Sequence, residues 1–121
     1  MNITDLYNIC TNYPGVSESF PFDEDTLVFK VGGKIFLLTG LSGWEEGNPS
    51  INLKCNPERA LELRADFDAV QPGYHMNKKH WNTVFVRRDL SPTEIKKLID
   101  HSYELVFRQL SKKMQQEITE E

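Results

Sequence analysis

Tyr74, His75, Lys78, Lys79, His80 and Trp81 fall within one short run, YHMNKKHW, the densest concentration of chemically capable side chains in the sequence. Such a run is compatible with metal ligation, acid–base catalysis, phosphate binding with base stacking, or a plain turn feeding a strand. His75 and His80 are five residues apart. A helix brings i and i+4 together and a strand brings i and i+2 together, so this spacing sends the two rings to different faces in either case. Cys10 and Cys55 are distant in sequence, and no His-x-Glu or Cys-x-x-Cys pattern occurs. No metal site and no cofactor is therefore expected.

Nucleophilic catalysis has equally little support. Ser42, Ser50, Ser91, Ser102 and Ser111 include no Gly-x-Ser-x-Gly elbow. Cys10 and Cys55 sit on apolar stripes, where a thiol stays protonated and inert. Gly32-Gly33 reads as a hairpin turn and Pro72-Gly73 has no following helix, so neither is a phosphate loop. No catalytic residue is assigned. Acid–base work by Tyr74, His75, Lys78 and His80 needs those groups gathered in a pocket, and ordinary exposed loops carry the same residue types. An enzyme is thus the weaker reading and a binding module the stronger.

The binding reading rests on charge. Lys78, Lys79, Arg87 and Arg88 flank His80 and Trp81, and Lys54 projects from the polar face of its strand. Cations neutralise phosphates and an aromatic ring stacks on a base. Loops at Gly32-Gly33 and Trp44 would then act as wings beside a duplex. The plain alternatives are a solvated Lys78-Lys79 turn and a Trp81 ring in the core.

The chain has 121 residues and a net charge of −4, with 39% hydrophobic and 26% charged residues. That is a single-domain length and a globular balance, so one domain over residues 1–121 is expected, with 111–121 as a helical extension or tail. The charge is unevenly spread. Residues 1–50 carry 2 Lys against 7 acids, 51–116 carry 12 Lys/Arg against 8 acids, and Glu117, Glu120 and Glu121 close the chain. No apolar run approaches the ~20 residues of a membrane helix. The N-terminal residues lack a basic and then apolar leader pattern. Two unpaired thiols fit a cytoplasmic protein with no membrane partner. The sequence does not specify an oligomeric state.

Ile3, Leu6, Tyr7 and Cys10 form a helical stripe that Asn12-Tyr13-Pro14-Gly15 ends. A short strand is expected over 18–22. TLVFKV and KIFLLT flank Gly32-Gly33 as a hairpin in which Phe29 faces Phe36 and Leu27 faces Leu38. Residues 40–49, with three glycines and a proline, read as a long exposed loop with Trp44 near its tip. SINLKC alternates, putting Ile51, Leu53 and Cys55 inward. Asn56-Pro57 starts a helix that turns Ala60, Leu61, Leu63 and Phe67 to one side. Pro72-Gly73 suits a type II turn, and WNTVFVRR a strand. Ser91, Pro92 and Glu94 begin a helix that runs to about residue 110 and beyond, along a stripe extended by Met114 and Ile118. Antiparallel strands with separate helices predict an α+β fold, a two-layer sandwich of sheet against helices.

Several segments carry a resemblance. YPGVSESFPF, VGGKIF, LKCNPERA, LIDHSYELV and above all PGYHMNKKHWNTV resemble the MmcQ/YjbR family of small bacterial proteins. The resemblance implies a frataxin-like (CyaY-like) fold and a double-wing DNA-binding motif. It also suggests small-molecule sequestration, because the family name is linked with drug-resistance gene clusters. Carried over position by position, it marks Lys34, Lys54, Tyr74, His75, Asn77, Lys78, Lys79, His80, Trp81 and Asn82 as the surface of interest. Frataxin-like folds raise the question of iron, but the first helix offers only Asp5. Glu45-Glu46 would repel phosphate from one wing, so any DNA complex is expected to be weak and salt-sensitive.

Overall fold

The computed structural model describes residues 1–120. Glu121, the last of the closing acids, lies outside the described residues. In order, the elements are α1 (Ile3–Thr11), β1 (Val16–Ser19), β2 (Thr26–Val31), β3 (Lys34–Gly40), α2 (Leu41–Glu46), β4 (Ser50–Lys54), α3 (Pro57–Asp66), β5 (Val70–Pro72), β6 (Trp81–Phe85), α4 (Pro92–Arg108) and α5 (Lys112–Thr119). The strands make one antiparallel sheet in the order β1-β2-β3-β4-β6-β5. The fold is α+β.

Helix starts follow local chemistry. Asn2 and Asp5 cap α1 reciprocally, side chain to backbone in both directions. Asn56 accepts from the N–H groups of Glu58 and Arg59, with Pro57 in the first turn of α3. Ser91 accepts from the Glu94 N–H and donates its hydroxyl proton to Glu94 Oε1 at 3.0 Å. Side chains of the sheet alternate, and one face carries Leu27, Phe29, Val31, Leu37, Ile51, Leu53 and Val84, all in the main core. Leu6, Cys10, Ile95, Ile99 and Val106 of the helices pack onto it. Tyr13 stacks on Tyr103 with ring centroids 4.5 Å apart and meets the edge of Phe36.

The hairpin register differs from the expected one. Val31 and Lys30 pair with Lys34 and Ile35 as the Gly-Gly turn requires, but a bulge then puts Phe29 opposite Leu37 and Leu27 opposite Thr39. Phe36 is the extra residue. It lets Phe36 and Leu37, adjacent in sequence, both reach the core, and it moves Leu38 to the opposite face. The early strand lies at Val16–Ser19 rather than 18–22.

Residues 40–49 are not an exposed loop. Leu41–Glu46 form a helix that ends at Gly47, φ 84°. The side chain of Asp25 caps it from a distance, accepting from the N–H and the hydroxyl of Ser42 at 2.8 and 2.9 Å. Trp44 is buried, and its indole N–H donates to Thr39 Oγ1 at 2.9 Å. Trp44 is therefore no wing tip. On α3, Leu61 is 64% exposed and only Ala60 is fully buried.

The last helix is broken where the apolar stripe reads as continuous. α4 ends at Arg108, and Ser111 caps a separate α5 by accepting from the Met114 N–H. The break turns α5 back over the chain, so that Ile118 lies against Gly15 and Met114 against Gly32. Gly15 has φ +69°, and a Cβ there would meet Ile118 Cγ2 at 2.8 Å. Gly33 has φ +80° with nothing within 4 Å of such a Cβ. Both Gly→Ala variants incur the left-handed backbone cost of about 1–2 kcal/mol. Only Gly15→Ala also displaces α5, so its thermal midpoint is expected to fall further than that of Gly33→Ala. Equal midpoints would contradict this account of α5.

Candidate functional site

The second face of the sheet carries Thr26, Val28, Lys30, Ile35, Leu38, Asn52, Lys54, Trp81, Thr83 and Phe85, by the same alternation. Two loops rise over it. Between them runs a groove of about 390 Å³ lined by Phe22, Thr26, Ile35, Leu38, Gly40, Asn52, Tyr74, His75 and Met76. Ile35 and Leu38 give it an apolar floor. Phe22 forms one wall at 66% exposure, and Tyr74 the other at 70%. The rings of Tyr74 and His75 lie with centroids 4.0 Å apart.

The wall at 73–80 is built by polar anchors. Pro72-Gly73 is not a type II turn. Pro72 ends β5, Gly73 N–H donates to Trp81 O at 2.9 Å, and the positive φ (59°) belongs to His75. Glycine is needed at 73 for closeness, because a Cβ would sit 2.9 Å from the Trp81 backbone oxygen. Lys78 Nζ donates to the Gly73 carbonyl at 2.8 Å and closes the loop on itself. Asn77 Oδ1 accepts from the Lys79 N–H. Arg64 of α3 holds the far side: Nε donates to Asn82 Oδ1 at 2.7 Å, and Nη2 donates to the carbonyls of Trp81 and Lys78.

The residues marked by the sequence do not share one surface. Tyr74 and His75 enter the groove, whereas His80 does not line it. Lys78 and Lys79 border a different hollow, against Pro57, Glu58, Leu61 and Arg64 of α3. Asn82 is buried on the helix side, not displayed. Arg87 and Arg88 follow β6 at the end opposite Trp81, and Arg88 lies over Phe85 and pairs with Asp68 at 3.3 Å. Lys54 is the cross-strand partner of Trp81. Its ammonium is held below the ordinary lysine range by partial burial and then by the charge of Lys34. The Lys54 ammonium donates to Gln109 Oε1, just past α4, at 3.1 Å, so Lys54 lies apart from the Lys78–Lys79 turn. No three His, Cys, Asp or Glu side chains converge among the described residues. Burial pushes the Cys10 thiol up to about 12 and raises that of Cys55 as well, so both are poor nucleophiles.

Sequence reasoning missed Arg64, Thr83, Phe22 and His101. Thr83 is the polar hinge of the site. It accepts from the Tyr74 N–H at 3.0 Å and donates to Asn52 Oδ1 at 2.6 Å. His101, on the other side of the sheet, accepts the Asn56 N–H at Nε2 (3.2 Å), so its ring proton is on Nδ1. Burial, then the Arg59 charge, lowers its pKa; Glu104 opposes this and Arg108 adds to it. The unfolded state therefore binds more protons between the depressed folded value and the ordinary ~6.5. Stability from this group is complete above that value and is lost as pH falls below it. The urea midpoint is expected to drop from pH 7 to pH 5, and His101→Gln to show a shallower drop. An equal slope in both proteins would contradict the assignment.

Comparison with known proteins agrees with this architecture. The YjbR family profile matches residues 11–105. The chain belongs to the YjbR family. The family member YbdF of Escherichia coli O157:H7, named as uncharacterised, is 40% identical over 105 residues, 87% of this chain and 84% of that one. YjbR of Escherichia coli K12, also named as uncharacterised, is 34% identical over 104 residues, 86% of each. Among solved structures, the Deinococcus radiodurans protein DR2400, a DUF419 domain, superposes with a TM-score of 0.89 at 36% identity, covering 98% of this chain and 88% of that one. Among the described residues no helix is long and apolar enough to cross a membrane.

Proposed function

We propose that this YjbR-family chain is a small-molecule-binding protein whose ligand lies on the open sheet face, between Phe22 and the Tyr74–His75–Met76 wall. The carrying observation is the groove itself: about 390 Å³, apolar in its floor, with aromatic walls and a few polar groups. Small-molecule sites have this composition and measure roughly 300–1,000 Å³. Tyr74 and His75 are the titratable groups that line it. Asp23 and Asp25 adjoin its Thr26–Gly40 end, where they are engaged with Thr26 and Ser42, and Lys30 lies across from Ile35. The arrangement of helices on one sheet face with the other left for a ligand fits the frataxin-like fold the sequence suggests. The free buried thiols Cys10 and Cys55 fit the reducing cytoplasm.

The test is a fluorescence titration with 1-aminonaphthalene as probe. Saturable binding to the wild type and its loss in Leu38→Arg, which sets a charge on the groove floor at a part-exposed position and whose urea midpoint is checked alongside, is the expected result. No saturable binding, or equal binding to both proteins, would overturn the reading.

One observation favours a second reading. Lys54 feels the charge of Lys34 and is the cross-strand partner of Trp81, cations and an aromatic of the kind that suits a short length of single-stranded nucleic acid, although the Lys54 ammonium is engaged with Gln109. Weak, salt-sensitive DNA binding is the form this reading takes. It predicts that anisotropy of a labelled single strand rises at low salt, and that Lys34→Ala with Lys54→Ala removes the rise. Binding lost instead in Lys78→Ala with Lys79→Ala would favour the 74–88 segment as the contact surface. A flat titration at low salt would end both versions.

A further inference from the structure

We infer that the groove selects a flat, largely apolar ligand carrying a carbonyl-type acceptor, and that Asn52 Nδ2 is the group that reads it. This rests on the groove being the ligand site. A chain of hydrogen bonds orients the Asn52 amide. The backbone N–H of Tyr74 is always a donor, and it meets Thr83 Oγ1 at 3.0 Å. The Thr83 hydroxyl must then send its own proton elsewhere, and the Asn52 amide lies 2.6 Å away. The structure turns the Asn52 oxygen toward Thr83, which gives the hydroxyl proton its acceptor. In this orientation Nδ2 is the end left over.

That end belongs to the groove. Asn52 lies on the open face opposite Leu38 and between the strands that carry Ile35 and Thr83. Thr83 is buried beneath the 73–80 wall, so the orienting bond is shielded from water while Asn52 remains part-exposed. A two-proton donor set in an apolar floor is satisfied by water when the groove is empty. A ligand that displaces this water without supplying an acceptor leaves the donor unpaired, and that penalty is the source of selectivity. Phe22 and Tyr74 line the same groove as Asn52, and aromatic side chains there suit a planar ring system. The wall that brings Tyr74 over the groove is the same segment whose N–H bonds Thr83.

The test uses coumarin and naphthalene, fused two-ring probes of matched outline, with and without a carbonyl. The readout is the ratio of their dissociation constants in wild type and in Asn52→Asp. The aspartate still accepts from Thr83 but has no amide protons. The variant is expected to weaken coumarin relative to naphthalene by roughly three- to tenfold, the range of one net hydrogen bond. A second measurement does not depend on a variant. In the 15N-labelled wild-type protein, the Asn52 side-chain NH2 resonances are expected to shift on adding coumarin, and markedly less on adding naphthalene. If both probes bind but the ratio is unchanged and the NH2 pair responds equally to both, the inference is overturned while the groove stands as a site. If neither probe binds, the groove reading falls and this inference with it.

Discussion

Ser102→Ala is expected to lower stability by about 2–4 kcal/mol, the cost of leaving two buried backbone groups unpaired. Ser102 is fully buried on α4, and its hydroxyl sits between two sheet strands. It accepts from the Lys54 N–H at 2.9 Å and donates to the Phe36 carbonyl at 2.5 Å. Phe36 is the bulge residue of β3, and strand pairing between β3 and β4 covers Leu37–Leu53 to Thr39–Ile51 without reaching it. Beyond Leu53 the strands part, and the serine takes the place of the missing ladder bond. A methyl group satisfies neither backbone atom. Urea unfolding should show a lower midpoint with an unchanged slope, and the Lys54 amide should exchange faster with solvent. A Ser102→Ala protein with wild-type midpoint and Lys54 protection would show that the strands close on their own.

The second large effect belongs to Arg64. Its guanidinium spans α3 and the groove wall, donating to the buried Asn82 side chain and to the carbonyls of Trp81 and Lys78. Arg64→Ala strands the Asn82 oxygen in the interior and releases the 77–82 backbone, at about 2–3 kcal/mol. Probe affinity at the groove should fall with it, because the same segment carries Tyr74 and His75. Arg64→Lys should recover little. A single ammonium cannot reproduce the planar fork that reaches a side-chain oxygen and two carbonyls together. Recovery of both stability and probe binding by lysine would mean that charge alone, not the fork, secures the wall.

Much of the fold was legible because it is written locally. Asn56-Pro57 and Ser91-Pro92-Thr93-Glu94 announce helix starts, and Gly32-Gly33 a hairpin. What escaped was set by tertiary contact. The Phe36 bulge exists because two neighbouring apolar residues both find core space, and alternation alone cannot express that. Leu41–Glu46 is helical despite its glycines because Asp25 caps it from across the chain and Trp44 finds Thr39. The stripe from Ile95 to Ile118 looks continuous until Ser111 caps a new helix. Ser102, one polar residue on that stripe, was the visible signal of a buried polar contact.

The candidate site was half legible. The run around His75 and His80 supplies part of the groove lining, but its residues part company. Tyr74 and His75 form the wall, Lys78 staples the loop, Asn82 turns inward, and Lys79 faces α3. The histidine spacing separates the two rings by rule only on a helix or a strand, whereas residues 73–80 form a loop, and only His75 of the two lines the groove. That spacing carried no sign of Thr83, Asn52 and Leu38, which come from three strands brought side by side only in the folded sheet.

The claim that the open sheet face is the functional surface is tested most directly by mapping a bound probe. Naphthalene titrated into the 15N-labelled protein is predicted to shift the amides of Thr26, Ile35, Leu38, Asn52, Tyr74, His75 and Met76, leaving Lys79, Arg87 and Arg88 in place. Shifts confined to Lys79 and the arginines, or none at saturating probe, would contradict the account.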